Sequence, residues 1–81
     1  MDEDAARSVI AEHLAVSPEQ VTDDARFLDL GADSLDLITL TMDLEVAFDV
    51  QVSDEAATGC ETVGDALGVL RAAALLRAQP A

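Results

Sequence analysis

From Ser34 to Phe48 the chain runs without a glycine or proline, directly after an aspartate at position 33. Asp33 is a good helix-capping residue, so a helix is expected from about Ser34 to near Phe48. At about 100° per residue, Leu37, Leu40, Leu44 and Phe48 fall on one face. Leu35, Ile38 and Met42 fall on nearly the opposite face, with Asp36, Thr39 and Asp43 between them. One stripe is enough to seat a helix in a core. The second must be buried by another helix, cover a ligand or meet a partner.

The flanking segments also read as helical. Ala6, Val9, Ile10, His13 and Leu14 recur at helical spacing, which places a first helix from about Asp4 to Ala15. Ser17-Pro18-Glu19-Gln20 has the form of a capping box with proline at the first helical position, enough for one short turn. Val21 to Asp33 then reads as a loop pinned by Val21, Phe27 and Leu30, with Gly31 turning the chain near its end. Ser53-Asp54-Glu55 begins a short helix reaching Ala57, and Gly59 stops it. Thr62-Val63-Gly64-Asp65 begins the last helix, with Val63, Ala66, Leu67, Leu70 and Ala74 on its apolar side. No alternating stretch is long enough for a sheet. The expected class is all-α: three main helices and one short one, with a long loop between helices 1 and 2. Residues 1–81 read as one domain, frayed over about 78–81.

Charge narrows the partners. Seventeen acidic residues stand against four basic ones, for a net charge of −13. Such a surface repels nucleic acid and anionic membranes and steers toward basic proteins. A hydrophobic fraction of 51% argues against disorder. The chain contains a single cysteine, Cys60, and no intramolecular disulfide is possible. The first residues lack the pattern of a signal peptide, and no apolar run reaches the length of a membrane span. A cytoplasmic monomer is expected.

Ser34 sits where the loop meets the helix. Free backbone N–H groups and the helix dipole favour an anion there. Taken alone, a serine in this place is usually a cap. The stretch Phe27-Leu28-Asp29-Leu30-Gly31-Ala32-Asp33-Ser34-Leu35-Asp36, however, resembles the attachment site of acyl carrier proteins of the discrete, type II kind. The resemblance continues through Met42, Leu44-Glu45, Phe48-Asp49 and Val52-Ser53-Asp54-Glu55 to Thr62-Val63. It implies a four-helix bundle with a 4′-phosphopantetheine arm on Ser34, flanked by Asp33 and Leu35. A phosphopantetheinyl transferase would install the arm from coenzyme A, and its thiol would carry acyl groups as thioesters. The resemblance also makes Leu35, Asp36, Ile38, Met42 and Glu45 the docking candidates. Their partners would be acyl-transfer enzymes, ketosynthases and other biosynthetic enzymes with basic patches. The chain departs from fatty-acid carriers at Thr39 and Val46, where acids are usual. Its loop is one residue shorter and its first helix has few basic residues. Polyketide or specialised lipid synthesis therefore stands beside primary fatty-acid synthesis.

Catalysis has little to work with. A serine nucleophile needs a base, the sole histidine is His13 in the first helix, and no Gly-x-Ser-x-Gly elbow occurs. One histidine and one cysteine far apart do not make a metal site. His13 is expected as a partly buried helix residue and Cys60 as a small core residue. Two function classes follow: a covalent carrier, and a carrier-like docking module without the arm.

Overall fold

A computed structural model describes residues 2–78, with side chains for 2–76. Within them lie four α-helices: α1 (Glu3–Leu14), α2 (Ser34–Phe48), α3 (Asp54–Thr58) and α4 (Val63–Ala78). A 3₁₀ turn at Pro18–Gln20 opens the long connection from α1 to α2. Among the described residues the only β-pairing is an isolated bridge between Arg26 and Thr62. Ala78 still belongs to α4; the rest of the expected frayed tail, Gln79 to Ala81, lies outside the described residues.

Helix starts follow local side-chain chemistry. Asp2 accepts from the backbone N–H groups of Asp4 and Ala5 and begins α1 one residue before its expected start. Ser17 and Gln20 form the expected capping box around the 3₁₀ turn. Ser53 accepts from the Ala56 N–H and caps α3. Thr62 Oγ1 accepts from the Asp65 N–H, while the Asp65 carboxylate accepts from the N–H groups of Glu61 and Thr62. The first helix ends at Leu14, one residue short of the expected Ala15. Ala15 turns left-handed at φ 56°, and the Val16 N–H then bonds the Ala11 carbonyl to close the end.

The core draws on every segment. Ala6, Ile10 and Ala11 of α1 meet Leu40 and Leu44 of α2 and Val63, Leu67 and Leu70 of α4, with Ala57 and Cys60 buried at the α3 end. Val21, Phe27 and Ala32 anchor the long connection from below. Burying a side chain such as Phe27 or Leu40 stabilises by about 1.5–3 kcal/mol before entropy is counted.

The connection is further tied down by its backbone. The Phe27 N–H bonds the Glu61 carbonyl at 3.0 Å, Val63 N–H bonds Ala25 at 2.9 Å, and Gly64 N–H bonds Asp23 at 2.8 Å. The Arg7 guanidinium donates to the Val21 carbonyl at 2.8 Å and pairs with Asp23. The loop is thus held to both α1 and α4, and its far end delivers residues 31–34 to the start of α2.

Candidate functional site

The site is built at the junction of loop and α2. Helical turns from Phe27 to Ala32 bond backbone to backbone: Leu30 N–H to Phe27, Gly31 N–H to Leu28, and Ala32 N–H to Phe27. Gly31 has φ +87°, a conformation that L side chains rarely adopt, and nothing lies within 4 Å of where its Cβ would be. Glycine is favoured there by the backbone conformation of the turn, in open surroundings. Ala32 is buried and serves as a core anchor.

Asp33 caps α2. Its Oδ1 accepts from the Asp36 N–H at 2.9 Å, and Asp36 Oδ2 accepts from the Asp33 N–H at 3.1 Å. Ser34 is the first helical residue and is exposed. Its hydroxyl has no hydrogen-bond partner among the described residues, and neither do the backbone N–H groups of Ser34 and Leu35. The cap is thus Asp33, and the serine is left available. Beside it lies an open groove of about 350 Å³ lined by residues that include Arg26, Phe27, Leu28, Ser34, Leu37 and Cys60.

The two stripes of α2 part company. Leu40 and Leu44 are buried, with Leu37 and Phe48 half-buried against the core. On the other face Leu35 is 68% exposed and Met42 57% exposed, while Ile38 is half-buried. The second stripe is therefore an outward face. Val46, 85% exposed, extends it by one helical turn, and Leu28, 73% exposed, flanks the serine. Neither was among the expected docking residues. The signal for Leu28 lay in Phe27, since a loop that buries 27 turns 28 outward. Asp36 and Glu45 are half-buried with internal duties: Asp36 in the capping box, and Glu45 accepting from the Val52 N–H at 3.1 Å.

His13 and Cys60 stand where expected. His13 is half-buried, with Nδ1 2.6 Å from Asp43 Oδ2 and Nε2 3.1 Å from Thr39 Oγ1, and so ties α1 to α2. Cys60 is buried at the groove's edge. Burial, and then the nearby Asp65 charge, push its thiol pKa up. Among the described residues no group of three or more His, Cys, Asp or Glu is placed to hold a metal ion, and no helix is long and apolar enough to cross a membrane.

The described residues thus form a small all-α bundle with an exposed, unengaged serine in the first turn of α2, next to an open groove. Residues 4–70 match the family model described as "Phosphopantetheine attachment site". An acyl carrier protein of Sulfurovum sp. (strain NBC37-1) is 48% identical over 65 residues, spanning 79% of this chain and 87% of that protein. The chain belongs to the acyl carrier protein family. It is a carrier whose cofactor is phosphopantetheine, it is not itself an enzyme, and its family serves fatty-acid and polyketide synthesis in concert with biosynthetic enzymes.

Proposed function

We propose that Ser34 is the attachment point, and that residues 1–81 act as one carrier domain in the cytoplasm. The observation that carries this reading is the unengaged Ser34 hydroxyl at the start of α2, with Asp33 taking the capping role that a serine would otherwise fill. The local chemistry fits the group. The exposed Oγ can form a new ester bond to the pyrophosphate phosphorus of coenzyme A that bears the pantetheine, with adenosine bisphosphate leaving and the hydroxyl proton passing to the transferase. The two open N–H groups at Ser34 and Leu35 lie at the N-terminus of α2, where the helix dipole favours an anion. When bound, the arm supplies a thiol that holds acyl groups as thioesters. The protein supplies presentation, since tethering raises the cargo's effective concentration at a docked enzyme.

Asp33 and Leu35 frame the attachment point. Leu35, Ile38 and Met42, with Asp36 and Glu45 beside them, form the docking strip. A basic partner bearing an apolar ridge matches it: the charges steer the encounter and the strip is buried on contact. The transferase, acyl-transfer enzymes and ketosynthases are the proposed occupants in turn. Thr39 and Val46 make part of this face less acidic, which keeps polyketide or specialised lipid synthesis beside primary fatty-acid synthesis as the pathway served.

The test is intact mass after incubation with coenzyme A, Mg²⁺ and a promiscuous phosphopantetheinyl transferase. One added phosphopantetheine on the parent and none on Ser34→Ala is expected. Addition to the mutant would move the site elsewhere. No addition to the folded parent would leave a docking module without an arm.

A further inference from the structure

We infer that the Arg26 guanidinium is the anion partner of the phosphodiester formed at Ser34. This inference rests on the attachment reading above. The chain has four arginines and no lysine, so cations are scarce and their placement is informative. Arg7 pairs with Asp23, and Arg71 pairs with Glu3. Arg26 forms no ion pair among the described residues, although it stands among acids. It lines the same groove as Ser34, where it is the one cation among the described residues and shares the lining with Asp33 and Glu61.

Its position is fixed by the backbone. Arg26 pairs with Thr62 in the isolated bridge, its carbonyl accepts from the Leu30 N–H, and its neighbour Phe27 is buried and bonded to Glu61. The residue is exposed and lines the groove together with Ser34. A phosphodiester at Ser34 adds a permanent negative charge beside Asp33, Asp36 and Glu61 in a molecule already at −13. The open N–H groups at the start of α2 offset part of that charge, and a nearby cation offsets more of it. Arginine suits the task, because its planar fork donates to two phosphate oxygens at once.

The test uses apo and arm-bearing forms of the parent, Arg26→Gln, Arg26→Lys and, as a control cation, Arg71→Gln, each checked by intact mass. In the parent and in Arg71→Gln, adding the arm is expected to leave the melting temperature unchanged or higher. In Arg26→Gln, adding the arm should lower it by roughly 2–4 °C relative to the apo variant, with partial rescue in Arg26→Lys. The difference should vanish in about 0.5 M NaCl. The phosphodiester ³¹P resonance should differ between parent and Arg26→Gln at low salt and converge at high salt. Identical arm-dependent melting shifts and identical ³¹P resonances in arm-bearing parent and Arg26→Gln would overturn the inference while leaving attachment intact. Failure of the parent to accept the arm would overturn both.

Discussion

Gly64 shows how one residue's surroundings decide what a substitution does. A Cβ placed there would lie 2.9 Å from the Asp23 carbonyl oxygen, the same oxygen that accepts the Gly64 N–H at 2.8 Å. Adding a methyl forces the loop off α4, so Gly64→Ala is expected to destabilise by roughly 1–3 kcal/mol in urea unfolding. Gly68, one turn further along α4, meets only the Arg71 Nη2 at 3.9 Å. Gly68→Ala should stabilise by about 0.5–1 kcal/mol through helix propensity. Equal effects from the two substitutions would contradict the packing. The sequence places both glycines in one helix but does not reveal the distinction, because it depends on a loop forty residues upstream in chain order. The same limit applies to Arg26. Its place in the serine's groove arises from the pairing of the loop with Thr62, which no local pattern announces.

At the scale of elements, most boundaries were legible because caps are local chemistry. Asp33, Ser17 with Gln20, Ser53, and Thr62 with Asp65 all begin the elements that the residue pattern assigns to them. The end of α1 was less legible, since Ala15 takes a left-handed conformation without the glycine that usually marks one. The fate of the second stripe on α2 was open, because periodicity defines a face and not what covers it. Two predictions belong here. Asp33→Ala should cost about 1 kcal/mol of stability while leaving the Ser34 hydroxyl in place; an unchanged urea midpoint would mean that Ser34 takes over as cap. The Asp65 carboxylate, accepting from the N–H groups of Glu61 and then Thr62, has its pKa lowered. A carboxylate lowered in the folded state contributes stability above its unfolded pKa, about 3.9, and loses it as pH falls through the folded value. The stability gap between parent and Asp65→Asn should therefore stay constant above about pH 5 and close as pH falls below about 4. A gap that persists to lower pH would show that the charge on Asp65 contributes nothing.

For the molecule as a whole, attraction and repulsion among charges act over different distances. The ion pairs Arg7 to Asp23 and Arg71 to Glu3 join α1 to the loop and to α4, and a hydrogen bond between His13 and Asp43 joins it to α2. These ties act at contact, and partly exposed pairs are each worth about 0–1 kcal/mol. Against them stands a net charge of −13 on a body with a longest extent of 39 Å. At about 0.01 M salt the screening length is about 30 Å, so nearly every carboxylate repels nearly every other. At about 0.15 M it is about 8 Å, and only neighbours still interact. Screening should remove far more repulsion than it costs in contact pairs. The melting temperature of the parent is therefore expected to rise by several degrees between about 0.01 and 0.15 M NaCl and to flatten beyond. Mg²⁺ should produce the same rise at lower concentration, because a divalent ion accumulates more strongly around dense carboxylates. A melting temperature that falls with added salt would mean that the contact pairs to α1 outweigh the repulsion of the remaining acids. Arg71→Gln, which breaks the tie between α4 and the start of α1, would then lower the melting temperature most at low salt.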